Sequence, residues 1–195
     1  SRIYTFYLMK ESELILQAKK GEAEAFGTLY DTYAPAIYRF VLFKVGTKSD
    51  AEDVTHQVFL KAWKSMKKYR DEGHPFSSWL YRIAQNTVID HYRSNRSHAN
   101  IDTLPEDTLS EMPGFEENVD RGLQVEFVRR AIRELDDTGQ NVLLMKFVND
   151  LSNKEISATL QKSEGAIRVI QHRALKQLKT ILEKHAGNNH TTHKV

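Results

Sequence analysis

The sequence contains no cysteine and only 4 prolines among its 195 residues. The absence of cysteine excludes disulfides and thiolate metal sites, and it is compatible with a reducing compartment. No apolar run approaches the length of a membrane span. The opening segment SRIYTFYLMKESE is interrupted by charge too early to be a secretory signal. We therefore expect a cytoplasmic protein without a membrane segment.

Lysine and arginine are absent between Arg96 and Arg121, although the whole chain has 28 of them and a net charge of +2. Seven acidic residues and two prolines lie in this interval, which has no helical period. We interpret residues 97–120 as a flexible acidic linker, because such a composition cannot bury enough apolar surface to fold. The alternative is a pair of short surface helices within one domain. Without this interval, both flanking segments are clearly basic.

The segment before the linker has the apolar periodicity of α-helices. Pro35 should mark a kink or a helix boundary. A capping box formed by Ser49 and Glu52 predicts the start of a helix that ends at about Tyr69. After a charged loop, a further helix is predicted over residues 77–94.

The segment after the linker is also helical in pattern, with helices predicted near 123–135 and 140–149 and two more beyond them. No alternating strand pattern is evident anywhere in the sequence. We therefore predict an all-α fold of two small helical domains, residues 1–96 and 121–186, joined by the acidic linker. The polar tail 187–195 is predicted to be disordered.

Residues 151–182 have the pattern of a helix-turn-helix. Ser152 and Glu155 form a capping box for a first helix, and Ser163 is the N-cap candidate of a second helix. The second helix is apolar on one side and basic on the other, which could also be a solvated surface helix. In a helix-turn-helix, however, the second helix enters the major groove of DNA. The residues expected to face DNA are Ser163, Arg168, Val169, His172, Arg173 and Lys176.

The predicted helix over residues 77–94 has aromatic and basic residues on its outer face. Aromatic rings flanked by arginine and an amide suit the binding of unstacked bases and phosphates. Packing in a core could explain Trp79 or Phe76 taken singly, but it does not explain the whole set. The candidate residues for binding single-stranded DNA are His74, Phe76, Trp79, Arg82, Asn86, Tyr92, Arg93 and Arg96.

These motifs resemble those of extracytoplasmic-function (ECF) sigma factors. The second conserved domain of that family resembles DAEDVTHQVFLKAW followed by FSSWLYRIAQNTVIDHYR in this chain. The fourth domain resembles NVLLMKFVNDLSNKEISATLQKSEGAIRVIQHRALKQLK. The resemblance implies sigma region 2 before the linker and region 4 after it. It also implies a non-catalytic specificity subunit of RNA polymerase that needs no cofactor or metal, recognises promoter DNA and promotes its melting.

The resemblance implies a role for each segment. The helix from Asp50 to Tyr69 would dock on the clamp coiled coil of the largest subunit of core RNA polymerase. The loop 71–77 and the helix after it would open the minus-ten element and hold a flipped base. The helix 164–179 would bind the minus-thirty-five element, and an anti-sigma factor could restrain the protein. The implied polymerase contacts are Glu52, Asp53, His56, Gln57, Phe59 and Lys61.

Two other functions compete with this interpretation. A free-standing helix-turn-helix regulator with a ligand-sensing domain would form a dimer on a palindromic site, but it leaves the aromatic and basic helix unexplained. An enzyme is disfavoured, since the histidines lack metal-ligand spacing and the sequence has no P-loop or nucleophile motif. One departure from the family concerns the turn, where Gln161 stands in place of the usual Gly or Asn. That residue is unfavourable if its φ is positive.

Overall fold

The computed structural model of the chain describes residues 10–71, 73–98 and 119–191. These residues form eight α-helices and no β-strand, which confirms the predicted all-α fold. The helices belong to two compact units, as predicted. None of the helices in the described part of the chain is both long and apolar enough to cross a membrane.

The first unit is a bundle in which α2 packs against the other three helices. Its core contains apolar residues that recur at helical spacing, such as Ile37, Phe40, Val54 and Leu80, each fully buried. Burial of these faces gives the unit most of its stability, because isolated helices of this length are marginal in water. The helices are α1 (Glu11–Lys19), α2 (Ala23–Val45), α3 (Lys48–Ser65, followed by a 3-10 turn at Met66–Lys68) and α4 (Phe76–His98).

Pro35 lies inside α2 and does not end it. Proline removes one backbone N–H from the helix ladder, and this normally disfavours a helix interior. Here the residues after Pro35 include Ile37, Phe40 and Val41, which are all fully buried in the core. Their burial keeps the chain helical to Val45, so of the two alternatives predicted for Pro35, a kink or a helix boundary, the boundary is wrong.

The start of α3 also differs from the prediction. Its N-cap is Thr47, whose Oγ1 accepts a hydrogen bond from the Asp50 backbone N–H at 3.1 Å and donates one to Asp50 Oδ2 at 2.7 Å. The capping box predicted at Ser49 and Glu52 is therefore wrong. Gly46 ends α2 in the left-handed region, with φ of 93°. The next residue is then extended, and a threonine in that place caps α3 two residues earlier than predicted.

The second unit is built around α8. Its core includes Leu135, Leu143 and Ala174, against which Leu178 and Ile181 pack. Helix α6 begins earlier than predicted because Asp136 caps it, accepting a hydrogen bond from the Gly139 N–H at 2.9 Å. The helices are α5 (Val119–Arg133), α6 (Asp137–Leu143, followed by a π-helical turn at Leu144–Val148), α7 (Asn153–Leu160) and α8 (Glu164–Thr191).

Helices extend into both segments that were predicted to be irregular. Helix α4 reaches His98 and α5 begins at Val119, so the ends of the predicted linker 97–120 are helical, and residues 99–118 lie outside the described part. Helix α8 continues to Thr191, so the prediction of disorder is wrong over 187–191, whereas 192–195 are not described. Neither a proline nor a capping motif interrupts α8, and each added residue contributes a hydrogen bond to an existing helix.

Candidate nucleic-acid and polymerase interfaces

The predicted helix-turn-helix is present in the second unit. Ser152 and Glu155 form a reciprocal capping box: the Ser152 Oγ accepts from the Glu155 N–H at 3.2 Å, and Glu155 Oε2 accepts from the Ser152 N–H at 2.8 Å. Helix α7 ends at Leu160 and is followed by Gln161, which is left-handed with φ of 53°. Helix α8 then begins with Ser163 as its cap, accepting from the Ala166 N–H at 3.1 Å. Each helix therefore begins at a capping serine, and the turn between them consists of the left-handed Gln161, Lys162 and the cap Ser163.

The first turns of α8 have a buried side and an exposed side. Ile167 and Ala174 are buried in the unit, whereas the basic residues of the opposite side are exposed. Val169 is 51% exposed, although it is apolar. Five of the six residues predicted to face DNA lie on this exposed side, namely Arg168, Val169, His172, Arg173 and Lys176. The sixth, Ser163, is exposed at the start of the helix, where it is the N-cap.

A cavity of about 230 Å³ lies beside the start of α4 in the first unit. Three of its lining residues, His74, Trp79 and Arg82, were predicted to bind single-stranded DNA. Three further basic or aromatic residues of the lining, Lys68, Tyr69 and Arg70, were not predicted from the sequence. They belong to the run KKYR just before the loop, whose basic and aromatic composition could have indicated them. The cavity is lined by Lys68, Tyr69, Arg70, His74, Pro75, Ser78, Trp79 and Arg82.

The structure corrects the prediction for Phe76, which is only 3% exposed. Its ring centroid lies 5.3 Å from those of both Tyr69 and Trp79, and 5.6 Å from that of Tyr33. Phe76 precedes the buried Leu80 by four residues, so the two share the inner face of α4. Phe76 therefore supports the two aromatic walls of the cavity and does not itself project into solvent.

Tyr69 lines the cavity although it is only 6% exposed. Burial raises the pKa of this phenol, and the nearby Asp71 and Glu11 carboxylates raise it further. The hydroxyl therefore stays protonated at neutral pH. The Lys19 Nζ lies 6.0 Å from the centroid of the same ring, which adds positive charge nearby.

The remaining candidates on α4 lie away from the cavity. Asn86 and Arg93 are exposed, about 10 Å and 21 Å further along the helix than Trp79, at roughly 1.5 Å per residue. Tyr92 is 43% exposed, and its hydroxyl donates to the backbone carbonyl of Lys44, which ties α4 to the end of α2. The side chain of Arg96 lies outside the described part of the structure.

A groove between α2 and α3 contains the residues predicted to contact polymerase. One end, about 680 Å³, is lined by Glu52, Asp53 and His56 of α3, and by Asp31 of α2. Gln57 is exposed on the same helix. Burial raises the pKa of the Tyr38 hydroxyl in this groove; Glu52 raises it further and Lys48 opposes the shift. With Asp31, Glu52 and Asp53 in its lining, this end of the groove is rich in carboxylates.

The other end of the groove, about 280 Å³, is apolar. It shares Tyr30 and His56 with the acidic end, so the two form a continuous surface. Leu60 is 45% exposed there, and sequence reasoning missed both it and Tyr30. The apolar end is lined by Ala23, Phe26, Tyr30, His56, Phe59, Leu60 and Trp63.

Two predicted polymerase contacts are placed differently. Phe59 is 3% exposed, with its ring centroid 4.6 Å from that of Tyr30, so it forms the floor of the groove. Lys61 lies on the side of α3 that faces α4, where its Nζ is 2.8 Å from Asp90 Oδ2. The hydrogen bond and charge of Lys61 lower the pKa of Asp90. Lys61 therefore joins two helices of the unit.

The described residues contain no group of three or more His, Cys, Asp or Glu side chains that could hold a metal ion. The cavity beside α4 and the exposed side of α8 are suited to nucleic acid. The groove between α2 and α3 is suited to a protein that has both basic and apolar groups.

Comparison with known proteins agrees with the division of the chain into two helical units. Residues 29–98 match the family Sigma-70 region 2, and residues 131–180 match Sigma-70, region 4. The chain is 35% identical over 173 residues to the ECF RNA polymerase sigma factor BldN of Streptomyces coelicolor, covering 87% of this chain and 65% of BldN. It is 31% identical over 173 residues to the ECF RNA polymerase sigma factor SigD of Mycobacterium tuberculosis, covering 85% of this chain and 81% of SigD. The chain belongs to the ECF RNA polymerase sigma factors.

The region 2 match of this sigma factor ends at the last residue of α4, and the region 4 match includes α6, α7 and the first part of α8. A free-standing helix-turn-helix regulator has no need of region 2, so the match decides against that alternative. The fold is also that of the sigma factor RpoE of Bartonella quintana, in its co-crystal structure with the anti-sigma factor NepR. That comparison has a TM-score of 0.63 at 17% identity, and covers 83% of this chain and 98% of RpoE.

Proposed function

We propose that this sigma factor binds core RNA polymerase through the groove between α2 and α3, opens the minus-ten element with the cavity beside α4, and recognises the minus-thirty-five element with α8. The observation that carries the proposal is the cavity of basic and aromatic residues. A protein that only reads duplex DNA gains nothing from such rings, because stacked bases hide their faces.

In the proposed melting step, a base leaves the helix stack and enters the cavity. Trp79 is half-buried and provides an aromatic wall on which an extruded base can stack. Tyr69 is 6% exposed and supports Trp79 from behind, with the two ring centroids 5.0 Å apart. Arg70 and His74 are exposed, line the same cavity and can hold the adjoining phosphates. Stacking contributes about 1–3 kcal/mol per base, which offsets part of the cost of unpairing. Asn86 and Arg93 would continue the path of the strand along α4.

The partner that fits the groove is an element with arginine or lysine at one end and apolar side chains at the other. Asp31, Glu52 and Asp53 supply carboxylates for the basic groups. Leu60 and Trp63 supply apolar surface about two helical turns further along α3. The clamp coiled coil of the largest polymerase subunit is the proposed partner.

In the second unit, the exposed side of α8 would lie in the major groove, where Arg168 and Arg173 can donate to guanine O6 and N7. We further propose that the protein acts in the cytoplasm with polymerase, and that an anti-sigma factor restrains it, as the RpoE–NepR pair suggests by analogy. The acidic linker is proposed to lie along the RNA channel of polymerase.

Run-off transcription with core polymerase on genomic promoters tests the function directly. The melting step is tested by the double variant Arg70→Ala with His74→Ala, because both residues line the cavity and are exposed. We expect this variant to bind polymerase normally but to lose most of the permanganate reactivity of thymines at the minus-ten element. A template already mismatched there should restore much of the transcription.

The matched control is Lys20→Ala, which removes an exposed basic residue outside the cavity and should open DNA normally. Normal opening by the double variant would contradict the role of the cavity. The absence of reactive thymines with the parent protein and polymerase would contradict the sigma-factor mechanism as a whole.

A further inference from the structure

Glu164 is an acidic residue at the edge of a surface that otherwise presents positive charge. It is the first residue of α8, and no other Asp or Glu occurs before Glu183. Over the same interval, the exposed side of the helix carries Arg168, His172 and Arg173. A carboxylate in this place is repelled by the phosphates of any DNA that approaches the helix.

The carboxylate of Glu164 is directed towards an arginine. Its Oε2 lies 3.6 Å from an Arg168 guanidinium nitrogen, one helical turn away, and the two side chains are 45% and 65% exposed. The pair leaves other N–H groups of Arg168 available, since a guanidinium has five donors in a planar fork. An arginine that is already oriented loses less rotamer freedom when it binds, which favours a contact with defined geometry.

A purely structural role would also place an acid here. Negative charge in the first turn of a helix is favourable because of the helix dipole. That role predicts an effect of Glu164 on stability alone. The position beside Arg168 predicts an effect on the choice between DNA sequences as well, and the two roles can be separated by measurement.

We propose that Glu164 is a specificity-determining residue, which orients Arg168 towards a base edge and weakens binding to the phosphate backbone alone. The inference rests on the proposed binding of α8 to the minus-thirty-five element. Non-specific affinity comes almost entirely from phosphate contacts, whereas an oriented arginine can recognise guanine in the major groove. One carboxylate thus lowers affinity for the wrong sequence and supports contact with the right one.

The test compares two promoter fragments that differ only in the upstream element, which is native in one and scrambled in the other. Holoenzyme reconstituted from core polymerase and the full chain is bound to each, and the ratio of the two affinities measures selectivity at this element. For Glu164→Gln, we expect a ratio reduced by about threefold to tenfold, a range set by one weakened base contact. Affinity for the scrambled fragment should rise by about twofold to fivefold, since one like charge is removed.

Glu183→Gln is the matched control. It makes the same chemical change on the same helix and also breaks an exposed ion pair four residues apart, in which Glu183 Oε1 lies 3.8 Å from the Lys179 Nζ. We expect it to leave the ratio unchanged. An equal change in the ratio for both variants would mean that net charge alone acts, and this would overturn the proposal.

A double-mutant cycle with Arg168→Ala tests whether Glu164 changes selectivity through Arg168. If Glu164 acts through Arg168, Glu164→Gln should have little further effect on the ratio once Arg168 is removed. Strictly additive effects would overturn the positioning role. A parent holoenzyme that does not distinguish the two fragments would instead contradict the proposed function, so the two failures are distinguishable.

Discussion

At the scale of single residues, the turn between α7 and α8 depends on a glutamine in an unfavourable conformation. Gln161 has φ of 53° and ψ of 44°, a region in which side chains with a Cβ are strained. We expect Gln161→Gly to raise the stability of the second unit by about 0.5–1 kcal/mol. Thermal denaturation of the full chain, followed by circular dichroism, measures this change.

The control for that prediction is Lys162→Gly at the next position. Lys162 is not among the non-glycine residues of positive φ in the described part of the chain. A glycine there gives no relief of strain and adds entropy to the unfolded state, so it should lower stability. A fall in the melting temperature with Gln161→Gly would contradict the idea that this turn is strained.

At the scale of helices, Tyr92 joins α4 to the end of α2 by donating its hydroxyl to the Lys44 carbonyl. Tyr92→Phe should therefore lower stability by about 0.5–1.5 kcal/mol, the usual net contribution of one hydrogen bond. Because the ring remains, promoter opening by holoenzyme should be unchanged. Chemical denaturation gives the first quantity and permanganate reactivity gives the second. Loss of opening with unchanged stability would show that the hydroxyl acts on DNA and not on the packing of α4.

At the scale of the whole molecule, the length of chain between α4 and α5 limits how two promoter elements can be bound together. The 20 residues from 99 to 118 can span at most about 66 Å, at roughly 3.3 Å per residue. Two elements about two turns of DNA apart are separated by about 70 Å, at roughly 34 Å per turn. The intact segment therefore suffices only when it is almost fully extended and the helices at its two ends supply the last few Å. Deletion of ten residues from this segment should therefore abolish transcription that depends on both elements.

The deletion variant should still bind polymerase, which a pull-down with core enzyme would verify. Replacement of ten residues by a Gly/Ser sequence of equal length is the control, and it should keep much of the activity because length is unchanged. Full activity of the shortened protein on a two-element promoter would show that the segment does not have to bridge the DNA.

The helices and the helix-turn-helix were predictable because their signals are local. The spacing of apolar residues in α8, the capping box at Ser152 and the cap at Ser163 each depend on residues within four positions of one another. The cap of α3 was mispredicted even so, since Thr47 and Ser49 are both suitable residues. The choice between them depended on where Gly46 ends the preceding helix.

The sequence by itself determined that the chain is helical, that an acidic interval separates two basic segments, and which helix has a basic face. The tertiary structure alone decided which side chains of a mixed aromatic and basic set remain available to a partner. Phe76 and Phe59 are buried, and Lys61 pairs with Asp90 of another helix. It also brought Asp31 of α2 beside Glu52 of α3. The physical reason is that exposure and pairing depend on how helices distant in sequence pack, whereas helix formation and charge depend on neighbouring residues.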